Sequence, residues 1–364
     1  MNRVAGLTAI ALAVAAGMAH ADVQVYGVID TGLRVTHTHS IEGVQSSKTA
    51  VSQESAQFMP NLFGLIGSED LGNGLKVGFL LENYFLADSG QMANPGVLFD
   101  NQSLLMVSGD SWEVAFGRAR GLSSTQGRYE IVTALDPFMG GWNEAGTLGT
   151  FANFGFATSN AVVAKVTPFE GFSATGIYSA SINNESTQSY GDNSHYAALG
   201  LQYASGPLYA AATYEVISEG ADYSAMESYI GEKVLKVGAT YDFVSFKAYG
   251  MYSYAQDVNW WGTPSDSHSY MLGASVPAAG GVVRASLQWL DGEGVDDDNY
   301  RPQRLVASLG YTYELSKRTM LWGIYSYSQG FKSLDADTNG YTQKDDGRVE
   351  ANRQLVSLGI THYF

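Results

Sequence analysis

The last twelve residues, Arg353 to Phe364, alternate without a break. Val356, Leu358, Ile360, His362 and Phe364 fall on one face, and Leu355, Ser357, Gly359, Thr361 and Tyr363 on the other. Successive side chains of a strand point to opposite faces, so one face of this segment meets an apolar medium and the other a wetter one. The same period of two recurs upstream. Between Val23 and Thr36, Val23, Val25, Ile29 and Leu33 oppose Gln24, Tyr26, Asp30 and Arg34. Leu75, Val77, Phe79 and Leu81 oppose Lys76, Gly78, Glu82 and Tyr84, and Val283, Ala285, Leu287 and Trp289 oppose Arg284, Ser286 and Gln288. A helical period does not recur. In a membrane only helices and closed barrels satisfy every backbone amide. The pattern therefore predicts an all-β, transmembrane antiparallel barrel in which the first strand partners the last. With spanning strands of about 9 to 11 residues, the chain holds about sixteen of them.

The predicted connections fall into two classes that alternate along the chain, as expected of short periplasmic turns and long extracellular loops. Short ones include Asp70–Gly74, Gly109–Ser111, Pro168–Gly171, Ser205–Gly206, Ala278–Gly281 and Ser316–Arg318. Long ones include His37–Phe58, Ala87–Phe99, Gly121–Gly149, Ile182–Ser194, Ser218–Lys233, Asp257–Ser267, Asp291–Gln303 and Gln329–Asn352. A soluble sandwich gives no reason for that alternation.

The N-terminus adds a compartment. Arg3, the apolar run Val4–Ala16 and Ala19-His20-Ala21 predict a secretory signal over residues 1–21, followed by the barrel domain over 22–364. No segment approaches the length of a membrane-spanning helix. The absence of Cys suits passage through an oxidising periplasm. Tyr (23) outnumbers Lys and Arg together (20), as aromatic girdles would require. A formal net charge of −16 argues against a nucleic-acid partner.

Several segments resemble the general diffusion porins of Gram-negative bacteria, most closely the β-proteobacterial group. They are Val25–Gly32 (VYGVIDTG), Phe63–Lys76 (FGLIGSEDLGNGLK), Phe116-Gly117-Arg118, Leu315–Thr319 (LSKRT) and Gly359–Phe364. The resemblance implies a homotrimer of 16-stranded barrels whose third outward loop folds into each pore. It implies passive passage of ions and small hydrophilic solutes, contact with outer-membrane lipid and lipopolysaccharide, and a terminal Phe364 read by the barrel assembly machinery. No cofactor is implied.

The residues themselves support an inward loop. Within Gly121–Gly149, the apolar, turn-rich stretch Asp136–Glu144 would be odd in free solvent. Pro137–Gly141 resembles the family's Pro-Glu-Phe-Gly-Gly turn, with Phe138 in the place of Glu. Candidate constriction residues are Arg118, Arg120, Glu130, Asp136, Phe138, Trp142 and Glu144, with Leu62 and Asn101 at wall positions where the family usually carries arginine. Strict alternation puts Arg118 on the face of Trp112 and Phe116. Either a bulge near Gly117 turns the chain, or Arg118 faces a neighbouring subunit. Lumen-facing charges are Asp30, Arg34, Lys76, Glu82 and Arg284. Phe138, Met139 and Trp142 either form an apolar patch at the constriction or fasten the loop to the wall.

Carboxylates in a narrow, low-dielectric channel favour cations. With family arginines missing and the charge negative, a mild cation preference is expected. Asp296-Asp297-Asp298 lacks the glycine and terminal Glu of a calcium loop, the six His show no ligand spacing, and no metal site is predicted. An outer-membrane enzyme would need a Ser or Asp beside a rim His. His195 and His268 sit in no catalytic motif, and no enzyme activity is expected. An adhesin or surface-antigen role would act beside conduction.

Overall fold

The computed structural model describes residues 22–39, 47–124, 126–139, 145–147, 150–152, 157–182, 193–218, 233–259, 264–295, 301–331 and 351–364. Its strands are β1 (Asp22–Thr38), β2 (Lys48–Ser55), β3 (Leu62–Gly72), β4 (Leu75–Tyr84), β5 (Gln102–Ser108) and β6 (Trp112–Arg120). Then come β7 (Ala157–Phe169), β8 (Phe172–Ser179), β9 (His195–Ser205), β10 (Leu208–Ser218), β11 (Lys233–Asp242) and β12 (Lys247–Asn259). The last are β13 (Pro264–Ala278), β14 (Gly281–Gly294), β15 (Gln303–Ser316), β16 (Thr319–Phe331) and β17 (Ala351–Tyr363). From β3 to β17 consecutive strands pair antiparallel.

Closure is made where the sequence places it. β17 pairs with β1 from Val28–Tyr363 to Thr38–Arg353, and Phe364 exchanges two backbone hydrogen bonds with Gly27 (3.0 and 3.1 Å). The other edge of β1 is shared: Asp22–Val28 pair with β3 and Thr31–Thr38 with β2. β2 and β3 are thus the two halves of one stave, and the 17 segments form a closed antiparallel barrel of 16 staves. The expected outward loop His37–Phe58 is shorter than predicted. β1 continues to Thr38 and Lys48–Ser55 returns as wall.

The predicted faces hold. Val25 (67% exposed), Leu33, Leu105, Leu272, Leu287 and Leu358 stand on the outer surface, while Leu104, Met251, Gln288, Ser357 and Thr361 are buried inside. An outer face this apolar suits hydrocarbon and not water. Among the described residues no helix is long and apolar enough to cross a membrane. The one helical turn described, Thr133–Leu135, lies in the connection between β6 and β7.

Candidate functional site: a lumen crossed by loop 3

The described residues of the connection 121–156, here loop 3, enter the lumen instead of leaving the barrel. Ile131 and Leu122 press on Gly200 of β9, where a Cβ would come within 2.2 Å of the Ile131 side chain, so glycine is what admits the loop so close to the wall. Tyr209 Oη of β10 donates to the Ile131 carbonyl (2.9 Å), and Leu135 lies against Gly238 of β11. Pro137 covers Gly273 of β13, and Arg284 Nη1 of β14 donates to the Pro137 carbonyl (2.9 Å). On its return the loop offers the Ala145 carbonyl to Gln288 Nε2 (2.8 Å) and the Thr150 carbonyl to Ser269 Oγ. The core of the molecule therefore lies between loop and wall. Leu122, Ile131, Leu135 and Phe151 pack there with Tyr196, Met251, Met271 and Leu290. Each such side chain contributes roughly 1.5–3 kcal/mol on burial.

The charged residues predicted for the lumen divide into lining and sealed. Lys76 is exposed and lines a cavity of about 430 Å³ with Gln24, Ser68, Ser108, Glu113 and Arg128. Arg34 is ion-paired with Glu54 at 2.5 Å. Asp30 is on the inner face, as alternation requires, yet it is 0% exposed and cannot wet the lumen. Glu82 is likewise buried, accepting from Tyr26 Oη, Asn101 Nδ2 (2.7 Å) and Gln102 Nε2. Arg284 is spent on loop 3.

The constriction candidates also separate. A bulge forms near Gly117 (φ +133°), where a Cβ would strike the Ser103 carbonyl at 2.1 Å. The extra residue is on β7, at Asn160 (φ +51°). Arg118 keeps its pairing with Ser103 and bonds the Asp100 carbonyl (2.9 Å) and Ser159 Oγ (2.8 Å), knitting the wall. Arg120 lies over the Tyr84 ring at 5.6 Å and donates to Asn101 Oδ1 (3.2 Å) and Ser124 Oγ (2.6 Å), at the root of the loop. Asn101 is itself buried, and Leu62 is buried on the inner face opposite Val28.

On the loop, Asp136 is buried and accepts the backbone N–H groups of Phe138 (2.8 Å) and Thr147 (2.9 Å). Phe138 is fully buried with Phe58, Trp322, Ile324 and Leu355, so it fastens the loop and does not line an opening. Glu130 accepts from Thr133 N (3.1 Å), and burial pushes its carboxyl above the usual range. Trp142 and Glu144, like the signal segment 1–21 and Asp296–Asp298, lie outside the described residues.

The alternation reading passed over one lumen pair. Arg128 grips Glu113 through two hydrogen bonds (2.9 and 2.7 Å), Tyr129 Oη adds a third (2.7 Å), and the Glu113 bond holds the guanidinium above its ordinary value. Glu113 alternates with Trp112 and Val114, so its inward position could be read from β6. Its partner, on a loop, could not.

Residues 6–332 match the family model for Gram-negative porins. The chain is 29% identical to an outer membrane porin protein of Bordetella pertussis, covering 98% of this chain and 99% of that one. It is 30% identical to Outer membrane porin protein 32 of Delftia acidovorans over the same shares. Among solved structures, an anion-selective porin from Comamonas acidovorans superposes with a TM-score of 0.68 at 26% identity, over 95% of this chain and all of that one. A closed barrel of 16 staves, an apolar outer band, an inward loop and these relatives agree: the chain belongs to the Gram-negative porin family and is an outer-membrane channel protein, not an enzyme.

Proposed function

We propose that the protein is a water-filled pore for passive diffusion of ions and small hydrophilic solutes, acting as a homotrimer after export by residues 1–21 and assembly through Phe364. The observation that carries this is loop 3, which narrows the lumen while hydrogen-bonded to several staves at once. A trimer form is described for OmpT, an outer membrane protein of Vibrio cholerae that shares the fold with a TM-score of 0.57 at 14% identity. Planar-bilayer recording tests the reading: conductance in triplets is expected, and a purified barrel that never conducts would reject it.

For selectivity, the mild cation preference expected from the sequence finds no support in the geometry, and we propose a weak anion preference in its place. Asp30, Glu82 and Asp136 are sealed by hydrogen bonds, while Glu54 and Glu113 are each held by an arginine. Lys76 remains exposed in the lumen. Much of the net negative charge belongs to connections that the sequence predicts as long extracellular loops: segments 183–192, 219–232, 296–300 and 332–350 hold fourteen of the 36 Asp and Glu residues and three of the 20 Lys and Arg. The Comamonas relative is described as anion-selective. Charges on such predicted outward loops are screened over about 3 Å in 1 M salt but act over about 10 Å at 0.1 M. Reversal potentials should thus favour anions at 1 M and move towards cations at 0.1 M. Cation preference at both strengths would refute the proposal.

A further inference from the structure

The wall itself is built inward to meet the loop. Thr31 pairs with Ser55 and Val28 with Leu62, so residues 56–61 occupy only two ladder positions and must leave the sheet. Ala56 enters the excursion in the left-handed region (φ +58°), a conformation an alanine adopts only when the surroundings impose it. The excursion turns into the lumen. Phe58 is buried against Trp322, Ile324 and Leu355, three inner-face residues of β16 and β17.

Asp30 imposes the turn. Its Oδ1 accepts the N–H groups of Gln57 (2.6 Å) and Phe58 (3.0 Å), and its Oδ2 accepts Trp322 Nε1 (2.9 Å) and Thr361 Oγ1. Its carbonyl accepts Ala56 N (3.0 Å), and its own N–H donates to Asn61 Oδ1. One carboxylate so ties the excursion to β1, β16 and β17. On the facing side Asp136 performs the same service for the loop tip, bonding the N–H of Phe138. Phe138, the residue that stands where the related turn carries Glu, fills the space between the two assemblies with no exposed surface.

We infer that the interrupted stave is a socket for Phe138, with Asp30, Trp322 and Asp136 as positioning residues, and that this apolar seat holds the free width of the channel constant. The inference rests on the channel reading above. A knob in a close-packed socket has one low-energy position, whereas a charged contact to a wet wall has many. A wall and a loop that each spend a buried carboxylate on shaping one contact specify a fixed aperture.

The test is single-channel recording of the full barrel with Phe138→Ala, Phe138→Leu and Trp322→Phe. Phe138→Ala is expected to raise mean conductance by about 1.5-fold or more, with flicker between sublevels, because truncation empties the socket and the loop loses its one position. Phe138→Leu should fall between it and the parent. Trp322→Phe keeps the apolar wall but loses the bond to Asp30, and should add flicker with little change in the open level. A folded Phe138→Ala barrel with parental conductance and noise overturns the inference. If that variant does not fold, Trp322→Phe decides: parental noise overturns it, added flicker upholds it. A parent protein that does not conduct fails the channel reading instead.

Discussion

At its tip, loop 3 meets the wall through Phe138, Phe58 and Trp322, with each carboxylate nearby bonded to donors placed for it. Along β10 to β12 the same loop covers polar ground. Thr213, Lys236 and Ser253 form one register row, Glu215 lies beside them bonded to Tyr196 Oη, and all are buried beneath the loop and its helical turn. The hydroxyls of Thr213, Ser253 and Thr240 find no hydrogen-bond partner among the described residues. A buried polar group in that condition costs about 1–3 kcal/mol, so this stretch holds the loop less firmly than its buried area suggests. The difference teaches that cover and hold are separate matters. The middle is covered because glycines at β9 and β11 make room for the loop, and the tip is held because shape and hydrogen bonding are both satisfied.

Unequal truncations would break this comparison most directly. Phe138→Ala is expected to lower unfolding stability by ~3–5 kcal/mol, the range for a buried phenylalanine that leaves a cavity. Denaturant midpoints in detergent read this, and a cost below ~1 kcal/mol would show that the socket bears no stability. In the middle, Lys236→Met alone should cost ~3 kcal/mol by leaving Glu215 buried without its nearby cation, while adding Glu215→Gln should recover most of the loss. Equal midpoints for the single and double variants would dissolve the contrast between the two regions.

The smallest effect concerns Glu130, which sits between them. Burial raises its carboxyl, so the ionised form is disfavoured in the folded loop. Its penalty is fully present above the raised value and fades as pH falls towards the ordinary carboxylate value near ~4.3. Glu130→Gln should therefore raise the thermal midpoint slightly at neutral pH, with the gain vanishing in acid. A gain that persists unchanged below that value would assign the effect to something other than charge.

Much of the barrel was legible along the chain because strand period, turn length and the closing aromatic are local. Val25, Leu287 and Leu358 could be assigned outward and Gln288 and Ser357 inward from alternation alone. Loop 3 was legible as an inward segment because its apolar residues had nowhere else to be buried. The charged site was not. Asp30 and Glu82 read as lumen charges since alternation reports the face of a side chain and nothing about what lies over it. The stave break was invisible for a related reason: Lys48–Ser55 read as part of an outward loop, and only the pairing of Ser55 and Leu62 with adjacent parts of β1 shows that both belong to one stave with six residues set aside between them.

The sequence by itself thus determined the architecture, the membrane-facing surface and the place of closure, because each follows from a period of two and from the need to pair every backbone amide. Which carboxylates remain available to a passing ion, and where loop 3 comes to rest, was decided by the tertiary structure. Those properties depend on contacts between residues as distant as Asp30 and Trp322, whose hydrogen bond exists only once the barrel has closed.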